Sequence, residues 1–336
     1  MSNTTKKCVI GGVGMGLGVL TGYLTSQQLW AVWRLLHADP IQTLATQENE
    51  GEVGIAYQDR QEAKHATIQH TIQDGIERVV VRPHELRFET PILFQHGMWH
   101  GAWCWRRWQA RFAAWGWETH AHSLPGHGRS PTQRAIKRCT LDYYLSFLKA
   151  EIDRMARPPV VIGHSMGGAL LQWYLKYVAD LPAAVLVAPW VSHSMFADGL
   201  LPLVRRDPVG VLLMTLSWNA TPMIRTAERA AECFISDEAL ISPEELRARL
   251  GPESALVLYQ HNPPFWYPPL EVATPMLWLA GGADTLLPEP AERRSAAHYG
   301  AEYVAVKGAG HNIMMEPSQR ETAEIIHNWL IEQGIA

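Results

Sequence analysis

The pentad Gly163-His164-Ser165-Met166-Gly167 stands between an apolar run, PPVVIGHS (158–165), and a helical pattern, ALLQWYL. In that setting G-x-S-x-G makes a sharp strand-to-helix turn that lifts the serine hydroxyl above a sheet edge. The competing reading is a glycine-rich helix start in which Ser165 only caps the first turn. A serine hydroxyl is barely nucleophilic until a base takes its proton, so a histidine and an orienting acid are required. Asp284 in AGGADTLLP and His311 in KGAGHNIMMEP follow in that order, each just past an apolar run. Asp284 also fits a helix N-cap ahead of Leu286–Pro288, and Asp198 is the alternative acid. A tetrahedral intermediate needs two backbone N–H donors for its oxyanion. Met166, after the serine, and Met98, after His96-Gly97, are the expected donors.

Such residues must be held at one edge of a sheet. ATIQHTIQ (66–73) and ERVVVRP (77–83) alternate around Asp74-Gly75, a hairpin signal. PILFQHG (91–97), AAVLVAP (183–189), TPMLWLAGG (274–282) and AEYVAVKGAG (301–310) are further strand-like runs. Helical patterns over 101–115, 140–156, 167–179, 288–298 and 317–332 separate them. The alternation predicts an α/β fold with a mostly parallel, doubly wound sheet. From Pro189 to Val272 the rhythm breaks for 84 residues of helical and proline-rich sequence. A gap that long predicts a helical cap inserted after the sixth strand. The expected division is an N-terminal hydrophobic segment and arm (1–65), a core (66–188 and 273–336) and a cap (189–272).

Composition narrows the functions. The 336 residues are 47% hydrophobic with a net charge of -4, so a large core is available and a nucleic-acid-binding basic face is not. No HExxH, His/Cys cluster or phosphate-binding loop occurs, and neither a metal nor a cofactor is expected. The four cysteines are too scattered for a disulfide scaffold. Six of the 14 tryptophans fall between Trp99 and Trp117; most should pack the 101–115 helix on the sheet. Trp99 and His100, directly after the oxyanion turn, are expected to line the pocket, as are Trp190 and Trp266 of the cap. The cap's other Met, Phe and Leu residues suit an apolar ester. They also suit the cap's own core.

Residues 8–33 contain no charge across 26 positions and follow Lys6 and Lys7. Three readings compete: a membrane anchor with small-xxx-small spacings, a cleaved signal peptide, and a glycine-rich soluble arm. The first places the chain at a membrane through this segment; the others leave no membrane partner.

The chain from about residue 66 to 334 resembles the α/β-hydrolases in HGMWHGAWCW (96–105), LPGHGRS (124–130), GHSMGG (163–168), GGAD (281–284) and GAGHNIMMEP (308–317). The first of these is similar to the esterase and hydroxynitrile-lyase branch. The resemblance implies Ser165 as nucleophile, His311 as base, Asp284 as orienter, and Met98 and Met166 as oxyanion amides. Lyases of that branch carry a threonine after HG, where this chain has Met98, and a lysine near the histidine, where it has Asn312. Those departures favour hydrolysis over cyanohydrin cleavage. The expected function is hydrolysis of a small-molecule carboxylic ester, apolar or lipid-like. A lyase on the same residues, or a binding module of this fold, is the alternative.

Overall fold

The computed structural model describes residue 26, residues 28–46 and residues 56–335. Nine strands form one sheet in the order β1-β2-β3-β5-β4-β6-β7-β8-β9. They are β1 (Tyr57–Glu62), β2 (Ala66–Gln73), β3 (Ile76–Pro83), β4 (Phe88–Gln95), β5 (Trp117–Ser123), β6 (Val160–His164), β7 (Ala184–Val187), β8 (Met276–Gly281) and β9 (Glu302–Val306). Strands β1 to β3 pair antiparallel, and β3 joins β5 antiparallel. Every pairing from β5 through β4 to β9 is parallel. The Asp74-Gly75 turn has positive φ at both residues (52° and 68°), the conformation a two-residue hairpin loop needs.

Two strands carry no apolar alternation. β1, YQDRQE, lies at the sheet edge, and β5, WETHAHS, buries threonine and histidine. They add two strands to the five strand-like runs up to Pro189, so the insertion follows the seventh strand and not the expected sixth. Parallel strands need crossovers: α1 (Arg106–Trp115), α2 (Leu141–Asp153), α3 (Met166–Tyr177) and α4 (Glu289–Tyr299) lie in those connections, and α5 (Gln319–Glu332) follows the last strand. On α1, Trp108 and Phe112 are fully buried, while Trp115 is half-buried and stacks on His327 with centroids 4.5 Å apart. Trp103 precedes α1 in a 3-10 turn and lies half-buried beneath Arg249 of the cap.

Between β7 and β8 the chain forms short helices, among them Leu201–Arg206, Pro208–Ser217, Ala227–Phe234, Pro243–Arg249 and Leu256–Gln260. Several have clear local causes. Asp207, Thr226 and Ser242 each accept a first-turn backbone N–H, and proline opens two of these helices. A short helix over 28–36 rests on the cap through Ala31 and Leu35 against Leu256. The helix Pro40–Thr46 is held by Thr43, whose hydroxyl donates to Asp142 at 2.7 Å. Most of the uncharged 8–33 run lies outside the described residues. Among the described residues no helix is long and apolar enough to cross a membrane.

Candidate active site

Strands β6, β8 and β9 run parallel, so the loops leaving them emerge on the same edge of the sheet. Ser165 follows β6 directly and starts α3 with φ 53° and ψ −118°. A side-chain-bearing residue holds such a conformation only when its surroundings over-determine it, at a cost of about 1–3 kcal/mol. Here the Ser165 amide donates to Val187 O at 3.1 Å, and its carbonyl receives Gly168, Ala169 and Trp190 amides. Gly163 must be glycine: a Cβ there would sit 2.5 Å from the Gly167 carbonyl. Ser165 caps nothing with its side chain, which leaves the hydroxyl free for the cavity.

His311 lies five residues beyond β9 and Asp284 three beyond β8, and their side chains meet. His311 Nδ1 donates to Asp284 Oδ2 at 2.6 Å, and both side chains are fully buried. Asp284 Oδ1 accepts the Leu286 amide at 2.7 Å and the Leu287 amide at 3.2 Å. The turn-capping reading and the histidine-orienting reading of Asp284 are thus one arrangement: each oxygen takes one task. His311 Nε2 has no partner among the described residues, and it shares a cavity lining with Ser165. Asp198 is elsewhere, paired with Arg294 at 2.7 Å.

A second layer fixes both loops. His100, expected in the pocket, is instead wholly buried behind it. Its Nδ1 donates to Met98 O at 2.6 Å and its Nε2 accepts from Asn312 Nδ2 at 3.0 Å. One ring therefore ties the Met98 turn to the residue after His311. His164 Nε2 donates to His311 O at 3.1 Å. Burial, then the neighbouring His311 and His100, hold His164 well below the usual histidine range. Glu316 accepts the Gly310 amide at 3.2 Å and the Ser236 amide at 2.9 Å, joining the His311 loop to the cap. Replacing His100 with leucine strips a donor from Met98 O and an acceptor from buried Asn312. The expected cost is about 1–3 kcal/mol of stability by chemical denaturation; an unchanged midpoint would contradict this role.

Of the two residues expected to hold an oxyanion, Met166 follows Ser165 directly and Met98 borders the same cavity. Met166 opens α3, where a helix leaves its N–H groups without intrahelical acceptors. Met98 lines the cavity. The cavity holds about 850 Å³ of empty space including its open mouth, with Ser165 and His311 among its lining residues. Met195, Phe196, Leu203, Met214, Met223 and Phe234 of the cap supply much of the rest. Trp99 and Trp190 line it. Trp99 does so with φ 61°, an unusual conformation for an aromatic residue, its carbonyl taking the Gly251 amide at 2.8 Å. Trp266 does not line it. That ring is fully buried, stacked on Trp173 at 5.3 Å, with its N–H donated to Ser192 O at 2.7 Å.

Three polar residues escaped sequence reasoning. Glu253 of the cap accepts from His127 Nε2 and from the Tyr144 hydroxyl, each at 3.0 Å, closing a buried link between the LPGHGRS turn and the cap. Glu292 of α4 is fully buried and accepts no hydrogen bond among the described residues. Burial first, then the nearby Asp284 carboxylate, push Glu292 well above the usual carboxyl range. Arg206 lines the cavity and donates to Thr285 O at 2.7 Å, bridging the cap to the Asp284 loop.

A sharp serine turn, a His–Asp pair at the carboxyl edge of a parallel sheet, and a helical cap over an apolar cavity define a class of protein. The chain matches the alpha/beta hydrolase family over residues 92–325 and belongs to it. It is 25% identical over 234 residues to a monoacylglycerol lipase of Mycolicibacterium smegmatis, covering 66% of this chain and 80% of that one. A solved monoacylglycerol lipase from Paleococcus ferrophilus matches with a TM-score of 0.58 at 18% identity, over 77% of this chain and 99% of that one. A thermophilic esterase from Thermogutta terrifontis matches with a TM-score of 0.58 at 17% identity, over 83% and 99%. At those identities the structural likeness is one of fold.

Proposed function

We propose that this carboxylic ester hydrolase works through an acyl-enzyme on Ser165 and takes an ester with one long apolar chain. The observation that carries the reading is the shared lining: Ser165 and His311 border one apolar cavity, with His311 Nε2 lacking a partner among the described residues and Nδ1 tied to Asp284. Ser165 Oγ attacks the ester carbonyl as His311 Nε2 takes its proton. The Met98 and Met166 amides hold the oxyanion. Collapse breaks the bond to the alcohol, which leaves with the proton from His311. Water then attacks the acyl-enzyme, His311 takes its proton, and the acid departs as Ser165 recovers a hydrogen. The acyl chain occupies the space between Met214, Met223 and Phe196, and the name of the mycobacterial relative supports a monoacyl ester. The uncharged 8–33 run supports a location at lipid, where such esters reside.

A panel of aryl esters from acetyl to palmitoyl tests the reading. Catalytic efficiency should climb with chain length, vanish in Ser165→Ala, and leave cyanohydrins uncleaved. Met214 is 2% exposed and lines the cavity, so Met214→Trp should move the optimum to shorter acyl chains. A flat chain-length profile in both proteins would overturn the cavity assignment.

A further inference from the structure

Two surface helices of this protein carry large apolar residues on their exposed sides as well as their buried ones. The helix over 28–36 (QLWAVWRLL) has one charge, Arg34, and Pro208–Ser217 (PVGVLLMTLS) has none. Each buries a narrow stripe. Ala31 and Leu35 pack on Leu256, while Gly210 and Met214 face the cap interior, Met214 reaching the acyl cavity. On the opposite sides, Leu29, Val32, Trp33 and Leu36 are 47–71% exposed, and Val209, Leu212, Leu213 and Leu216 are 41–58% exposed. Both quartets follow i, i+3, i+4, i+7, so each is a continuous outward stripe where a soluble helix would carry charge. Contiguous apolar surface of this kind marks a place that something covers.

The two helices share one packing cluster. Trp218, which ends Pro208–Ser217, packs with Tyr259 at 5.2 Å, and both contact the Ala31–Leu35–Leu256 group. Tyr259 in turn meets Phe196 of the cavity wall at 5.0 Å. What covers the stripes follows from their surroundings. The chain enters helix 28–36 from an uncharged run that begins at Cys8, after Lys6 and Lys7, a sequence suited to lipid and not to a polar protein partner. Met214 faces the acyl cavity from the same helix whose other side is bare. We propose that helices 28–36 and Pro208–Ser217 together form a lipid-docking face that seats the cap on a bilayer surface, so that substrate passes from the bilayer to the cavity. This rests on the acyl-ester reading above and adds its partner.

The test uses the full chain with phosphatidylcholine vesicles. Two readings are taken: flotation with the vesicles, and the ratio of turnover of a long-chain ester embedded in them to turnover of a soluble short-chain ester. The variants are Val32→Glu/Leu36→Glu and Leu212→Glu/Leu216→Glu, all outside the cavity lining. Each pair should lower the ratio about tenfold or more while the soluble ester is cleaved as before. An unchanged ratio in both variants would overturn the proposal. So would a wild-type dimer that both variants dissolve without changing the ratio, since a second copy would then be the cover. If the wild type floats but cleaves neither ester, the hydrolase reading fails and docking stands; if it cleaves both but the variants float and turn over alike, docking fails alone.

Discussion

Asp284→Asn should lower kcat by about 10⁴-fold while leaving the protein folded, a loss of the size expected when a base histidine is forced into the wrong tautomer. The direction follows from which atoms touch Asp284. Its Oδ1 receives two backbone amides, from Leu286 and Leu287. An asparagine keeps its oxygen on that side, because an amide nitrogen would face two donors. Its Nδ2 then points at His311 Nδ1, which must accept instead of donate. The ring proton moves to Nε2, the nitrogen that has to take the Ser165 proton, and the base is disabled. Steady-state kinetics with an aryl ester measure the effect. A variant within tenfold of wild type would mean another group, with Asp198 as the first suspect, orients the histidine.

Acidification should unfold the protein well before its carboxylates titrate. His100 and His261 are held to about 3 and His122 to about 4, each by burial first. Geometry requires neutral rings at two of them. His261 donates from Nε2 to Val191 O at 2.9 Å and accepts the Trp173 N–H on Nδ1 at 3.0 Å. His100 likewise has one donating and one accepting nitrogen, so protonation would break a buried bond. Because these folded values lie below the unfolded value of 6.5, the native state binds fewer protons. Stability is then full above pH 6.5 and declines as pH falls toward 4 and 3. At pH 5 each ring costs about 2 kcal/mol relative to pH 8, or ~6 kcal/mol together, comparable with the whole stability of a domain. Glu151 and Glu77, whose carboxyls are held low, add their losses only below about 4.5. Glu292, held high, is relieved on acidification and opposes part of the trend. Thermal melts across pH 8 to 5 measure the slope, and His122→Leu should flatten it by about one ring's share. A melting temperature that stays level to pH 5 would contradict the neutral-histidine core.

The candidate catalytic groups were legible because each carries a local signature. Ser165 sits between glycines at a strand end, and Asp284 and His311 stand a few residues past apolar runs. Sheet parallelism converts those one-dimensional placements into a common edge. What escaped depends on contacts distant in sequence. His100 follows the oxyanion turn as a pocket residue would, yet its nitrogens are claimed by Met98 O and by Asn312, 212 residues away. Trp266 read as a cap aromatic near substrate, but its ring is stacked on Trp173 and His261 and its N–H is given to Ser192 O. The His127–Glu253 link spans 126 residues between two segments with no motif to connect them. β1 and β5 were invisible for a different reason. Edge placement lets YQDRQE remain polar, and buried histidines and threonine replace the aliphatic pattern in WETHAHS.

The central claim is that Ser165 is the nucleophile activated by His311 and Asp284. A fluorophosphonate bonds covalently to a serine oxygen only when that oxygen is activated. Intact-mass measurement followed by peptide mapping reads it directly. The wild type should gain one phosphonyl adduct, mapped to the peptide containing Ser165, with none in Ser165→Ala and strongly slowed labelling in Asp284→Asn. A folded wild type that acquires no adduct, or carries it on a different serine, would contradict the account.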